Sequence, residues 1–378
     1  MTNPRTTTLL VEPDPTGHHF QAVAAVTGVA SESGPVVLLT LRGASAEPSF
    51  EVYLAADVRA GRLVVHEVFE GKVPSTAEMA RVAATWCRRA DVPVGTLMLM
   101  DGDQALKRWW YVARPLLRGL AHRPRVIFML TRYPARLALT DLTGWRLRAP
   151  KAVLVVAARL TGTLHRAVGF SGREDTAAGW LVKRVRDPHY SSAHSRDRAT
   201  WRAELGLPAD RHLVGVFGAL GERKNAPLIL DAIKAAGLDA DLVLAGVFQP
   251  EVRAWVDDLD DADRARVIAR DGFLSNEELD RFVAAVDVVP LALTNNGPSG
   301  IMGNAEAAGV PVVTTGSTVR AREVRATGAG LACDFTAESI GAAMRQVLHG
   351  PFTMPAGIAG GEVTADEFGR VLLGVAPR

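Results

Sequence analysis

The stretch VDVVPLALTNNGPSGIMGNAEAAGVPVVT, residues 286–314, decides how the rest of the chain is read. Its first five residues, 286–290, have the length and β-branched content of a buried strand. A polar turn, Asn296-Gly297-Pro298-Ser299-Gly300, opens a helix-like segment, Gly300–Ala308, that ends at Gly309. A second apolar run follows at 310–314. Strand, helix and strand joined by short turns form the unit of a parallel sheet. Its strands are covered on both faces and so read as continuous apolar runs.

The same alternation extends in both directions. Upstream, strand-like 213–217, helix 226–236, strand 241–245, helix 250–259, strand 267–268 and helix Asn276–Ala285 precede it. Leu279, Phe282, Val283 and Val286 fall at i, i+3, i+4 and i+7, one buried helix face. Downstream, helix 337–348 repeats the spacing with Ile340, Ala343, Met344 and Val347. The first half alternates likewise: strands at 9–11, 36–41, 62–65, 96–100, 126–130 and 152–156, with helices at 17–29, 76–89 and 104–120. Between the halves, residues 183–210 are rich in charge, His and Ser, and 186–196 reads as the linker, followed by a short helix at 199–205. The expected fold class is α/β: two Rossmann-like, doubly wound parallel-sheet domains facing a cleft. Domain one spans 1–190 and domain two 191–360. A final helix, in 361–378, is expected to pack back on domain one. Ligands of such sheets sit outside the carboxyl ends of the strands.

Bulk properties narrow the function. The chain has 378 residues, 48% hydrophobic and 22% charged, with 43 basic and 41 acidic residues for a net charge of +2. That near-balance disfavours a nucleic-acid partner. Cys87 and Cys333 lie far apart, in no metal or disulfide spacing. Residues 1–8 lack the apolar core of a signal peptide, and no apolar run is long enough for a transmembrane segment. A cytoplasmic protein is expected, with room for a homodimer.

Five segments together resemble the group 1 (family 4) retaining glycosyltransferases of the GT-B fold. They are Trp201-Arg202-Ala203-Glu204-Leu205-Gly206-Leu207-Pro208, the VGVFGALGERKN run at 214–225, DGFLSNEEL at 271–279, AVDVVP at 285–290 and EAAGVPVV at 306–313. The resemblance implies transfer of a sugar, a hexose or related one, from a nucleotide-sugar co-substrate to a hydroxyl of a small-molecule or oligosaccharide acceptor. It implies retention of configuration through a front-face reaction, with neither metal nor cofactor.

A nucleotide-sugar needs its diphosphate met by a helix N-terminus and a cation. The turn of Asn296, Gly297, Pro298, Ser299 and Gly300 supplies the first, and Lys224 after Gly218 the second. The family's arginine after that glycine is replaced by Ala219, with Arg223 close by as a substitute. The family's paired carboxylates, eight residues apart, fall on Asn296 and Asn304, amides that bind hydroxyls without charge. Glu306 would face away, as a structural carboxylate. In the first domain, Gly17 opens a helix with His18 and His19, imidazoles suited to a reacting sugar or phosphate. The family's mid-domain histidine is absent, and Arg132 stands near its place. Asp101 and Asp103 resemble a metal-binding DxD but read as a strand-end turn touching the acceptor. Trp109 and Trp110 read as core residues. Two other readings stand beside transfer: a non-catalytic partner with a decayed donor site, and a nucleotide-sugar epimerase on the same fold.

Overall fold

The computed structural model describes residues 5–133, 142–173, 175, 177–188, 197–295, 297–357 and 362–376, with only the backbone of His18 and Thr143. The chain divides into two compact units. One comprises Met1–Ser171, Ala177–Arg186 and Thr364–Arg378; the other comprises Gly172–Thr176 and Asp187–Val363. Most of the expected linker, residues 189–196, lies outside the described residues.

The first unit runs β1 (Thr7–Val11), α1 (Gly17–Ala30), β2 (Val36–Leu41), α2 (Pro48–Tyr53), α3 (Ala55–Arg59), β3 (Leu63–Phe69), α4 (Thr76–Arg89), β4 (Val94–Leu99), α5 (Gly102–Arg118), β5 (Arg125–Leu130), α6 (Leu142–Leu160), β6 (Arg166–Ser171) and β7 (Lys183–Arg186). These seven strands form one parallel sheet in the order β3-β2-β1-β4-β5-β6-β7. Alternate side chains feed two cores. Leu9, Val11, Leu97, Leu99 and Phe128 pack with Met79, Leu106 and Trp109 of α4 and α5. Leu10, Leu38, Met98 and Ile127 face Phe20, Val23 and Val26 of α1 on the other side.

The second unit contains α7 (Arg198–Leu205), β8 (His212–Phe217), α8 (Ala226–Ala235), β9 (Ala240–Gly246), α9 (Pro250–Asp257), α10 (Asp261–Arg264), β10 (Val267–Asp271), α11 (Asn276–Ala285), β11 (Val289–Ala292), α12 (Gly300–Ala308), β12 (Val312–Thr315), α13 (Thr318–Thr327), β13 (Gly330–Ala332) and α14 (Ala337–His349). Its strands pair as β10-β9-β8 and β11-β12-β13, joined by a parallel bridge between Val214 and Val288. The last helix, α15 (Ala365–Leu373), belongs to the first unit and buries Phe368, Leu372 and Leu373 against α1. Each such side chain contributes about 1.5–3 kcal/mol.

One expected element is corrected. Residues 152–156 lie inside α6, not in a strand. Val155 is buried while Val153 and Val156 are exposed, so one face of the run meets the core, as in a helix. The strands after β5 are instead β6 and β7, which the residue pattern did not announce.

Candidate active site

In the second unit the strand order turns between β8 and β11. Open parallel sheets bind ligands at the carboxyl ends of the strands flanking such a point. After β8 the chain passes through Gly218, at φ 91°, and a 3-10 turn at Glu222–Lys224. Gly246, at the end of β9, packs so closely that an added Cβ would lie 2.0 Å from the Gly218 carbonyl oxygen. The neighbouring strand thus fixes the glycine turn. Lys224 is buried, and its Nζ donates to the Phe217 carbonyl oxygen. Burial, then the charge of Arg223, lowers its pKa to about 7. It is therefore a cation poised to lose or keep its proton near neutrality, beside a backbone turn. Arg223 itself is exposed.

The loop after β11 joins this turn. Thr294 N–H donates to the Arg223 carbonyl oxygen at 3.4 Å, and Asn225 Nδ2 to that of Ala292 at 2.7 Å. Asn296 lies outside the described residues. Gly297, Pro298 and Ser299 are half-buried and lead to the N-terminus of α12, where Ser299 makes no side-chain cap. A Cβ at Gly300 would meet nothing within 4 Å among the described residues. Packing therefore does not demand that glycine, which leaves space above the helix N–H groups.

Two arginines unannounced by the sequence hold this region. Arg320 of α13 is fully buried and donates to the carbonyl oxygens of Leu293, Asn295, Gly297 and Thr315 and to Thr314 Oγ1, at 2.8–3.2 Å. Burial lowers its pKa to about 10, with Glu323 opposing. With the loop carbonyls turned inward to Arg320, a positive charge lies beneath the loop. Arg173, in the short 172–176 segment, donates to Glu323 at 2.9 Å, Asp187 at 2.8 Å and the Ser299 carbonyl oxygen at 3.2 Å. Burial opposes its charge, yet Asp187, Glu323 and Glu306 raise its pKa. Their signal is diffuse, since each arginine's partners lie on other segments.

The paired-amide expectation changes at Asn304. It is buried in α12, its Nδ2 donating at 2.9 Å to Asp280 of α11, which is itself buried. A carboxylate is present at this level, but it comes from the neighbouring helix. Glu306 is buried and accepts from Thr327 Oγ1 at 3.2 Å, a structural place.

In the first unit the strand order turns between β1 and β4, and the expected residues gather at their carboxyl ends. Gly17 opens α1; the side chain of His18 lies outside what is described. His19 Nδ1 lies 3.0 Å from Oε2 of Glu12, a fully buried carboxyl just past β1. Burial works against the His19 cation, but the hydrogen bond and charge of Glu12, with Asp14 and Asp101 beyond, raise its pKa. Burial raises that of Glu12 in turn, against His19. Asp101 is buried and accepts from Gln104 Nε2 at 3.0 Å. Its pKa is raised by burial and by Asp103, with His19 and Arg132 opposing. Asp103 is occupied structurally, binding Lys151 at 2.5 Å and the Arg132 N–H at 2.8 Å. Arg132 is exposed. Trp109 is buried and donates to the Thr163 carbonyl oxygen, whereas Trp110 is half-buried. Glu12 was missed because a lone glutamate after a strand carries no motif.

Residues 197–357 match the model of the family "Glycosyl transferases group 1". The matched residues lie within the second unit. No curated protein matches the chain in sequence. Among solved structures it is similar to HepE of Anabaena in complex with UDP-glucose (12% identity, 97% of this chain and 94% of that one, TM-score 0.60). It is also similar to sucrose-phosphate synthase of Thermosynechococcus elongatus (14%, 98% and 95%, TM-score 0.59). A third is the α,α-trehalose 6-phosphate synthase of Burkholderia multivorans (13%, 98% and 94%, TM-score 0.60). At these identities the likeness establishes the fold of two Rossmann-like α/β domains.

Proposed function

We propose that the protein is a glycosyltransferase that moves a sugar from a nucleotide-sugar to a hydroxyl acceptor, with retention and without a metal or cofactor. The observation that carries this reading is the joining of Lys224, the Gly218 turn and the α12 N-terminus within the family-matched unit. A diphosphate there meets helix N–H groups, a lysine and the buried charge of Arg320. The donor's hydroxyls are left to Asn296 and Asn304, the latter already tied to Asp280. On the first unit, His19 is the group we assign to the acceptor side, with Glu12 fixing its ring and stabilising the imidazolium. Arg132 adds a cation near Asp101.

The acceptor is a small metabolite or soluble oligosaccharide. The engagement of Asn304 by Asp280 favours one second reading, a nucleotide-binding protein without turnover. A thermal-shift panel of nucleotide-sugars, beginning with UDP-glucose, followed by calorimetry on wild type and Lys224→Ala, tests the donor site. Absence of any nucleoside-diphosphate binding at millimolar concentration would sink both readings. Slow hydrolysis of a bound donor selects the enzyme, and binding without hydrolysis or transfer selects the silent protein. The anomeric configuration of the product, read by NMR, tests retention.

A further inference from the structure

We infer that the first unit carries a second anion site, at the amino ends of β5 and β6, that takes a small molecule bearing a phosphate or diphosphate. It lies at the opposite end of the sheet from Glu12 and His19 and does not depend on the donor reading.

A cavity of about 350 Å³ opens there. Four arginines line it: Arg114 and Arg118 from α5, Arg123 from the following turn, and Arg159 from the last turn of α6. Among the described residues, no carboxylate lines it. Arg125 and Arg166, the first residues of β5 and β6, add their charge at the same end, donating to the carbonyl oxygens of Leu373 and Val371. Among the described residues, none of these six arginines forms an ion pair with a carboxylate. Burial first, then the charges of Arg125 and Arg159, lower the pKa of Arg166, and no acid opposes them.

Helix dipoles account for part of this clustering. Arg118 and Arg159 stand in the last turns of α5 and α6, where a cation is favoured. They do not account for Arg114 or Arg123, which bring like charge into the same recess at a cost that a bound anion removes. The donors are also uncommitted in number. Arg123 makes one long bond to the Arg118 carbonyl oxygen and Arg159 one to that of Leu181, and Arg159 Nε is buried with no partner among the described residues.

His165 completes the lining. Its Nδ1 accepts from the Val126 N–H at 3.0 Å, which leaves the ring proton on Nε2. Burial and the charge of Arg125 lower its pKa and keep it neutral, so it too is a donor. Several guanidiniums around one recess ask for more than a single negative charge, and their forks match phosphate oxygens. The cavity is within the size range of small-ligand pockets and holds one or two phosphoryl groups.

Pyrophosphate titrated by calorimetry into the full chain tests this. Wild type is expected to show a site that survives Lys224→Ala and weakens at least tenfold in Arg114→Ser/Arg118→Ser/Arg123→Ser. In the wild type, pyrophosphate should also protect Arg118 and Arg123 from phenylglyoxal, read by mass spectrometry, which needs no variant to fold. Binding removed entirely by Lys224→Ala, together with unprotected arginines, would overturn the proposal. So would adsorption to phosphatidylglycerol vesicles that pyrophosphate fails to displace, which would make the patch a lipid-facing surface.

Discussion

If Lys224 meets the donor's diphosphate as proposed, it couples that binding to protons. With its pKa lowered to about 7 by burial and Arg223, much of it is neutral above that pH in the free protein. An arriving diphosphate favours the ammonium form, so the complex takes up a proton. UDP affinity is expected to fall as pH rises above 7, by up to about tenfold per unit. Calorimetry at pH 8 in buffers of different ionisation enthalpy should show proton uptake, and Lys224→Arg, which keeps its charge, should abolish it. An unchanged uptake in that variant would assign the proton elsewhere. The pair Glu12 and His19 gives a second test, of stability and not of binding. Because the folded pKa of His19 is raised, its contribution to stability is complete below its unfolded value near 6.5 and is lost as pH rises through the folded one. Glu12→Gln should lower the His19 pKa in NMR titration and flatten the fall of Tm between pH 6 and 8.5. At this scale Lys224, His19 and the glycine loop were legible because each sits beside its own strand end in sequence. Glu12, Arg173 and Arg320 were not, since their meaning lies in partners that only folding brings close.

Among the elements, α12 shows how a helix is fitted to a buried charge. Gly303 lies mid-helix, where alanine ordinarily gains about 1 kcal/mol. Here an added Cβ would lie 2.6 Å from Arg173 Cζ. Gly303→Ala is therefore expected to destabilise the protein, by about 1–3 kcal/mol. It should weaken UDP binding as well, because Arg173 also holds the Ser299 carbonyl oxygen at the head of α12. Urea unfolding and calorimetry on the same variant read both effects; a gain in stability would show that Arg173 can step aside. Elements whose apolar period matched their burial were legible, α11 and α14 among them. The run at 152–156 misled because five apolar residues after Pro150 look like a strand, while α6 accommodates that proline internally. β7 escaped notice because KRVR holds one buried residue in four.

Across the whole molecule, the chain crosses from one unit to the other more often than two consecutive domains would need. Residues 172–176 belong to the second unit although they interrupt the first, and 364–378 return to the first. Alternation of strands and helices revealed two sheets, but periodicity says nothing of which unit claims a five-residue segment. The crossing matters because Arg173 is the cation that meets the fully buried Glu323. A fragment of residues 187–363 keeps every strand of the second sheet and loses that arginine. Removing one partner of a buried ion pair costs about 3–5 kcal/mol. The fragment is therefore expected to unfold at clearly lower urea than the same unit in the full chain, and a fragment begun at residue 172 should recover much of the difference. Arg173→Met in the full chain should reproduce the loss. If fragment 187–363 proves as stable as the unit in the full chain, the Arg173 cluster is not what ties the 172–176 segment to the second unit.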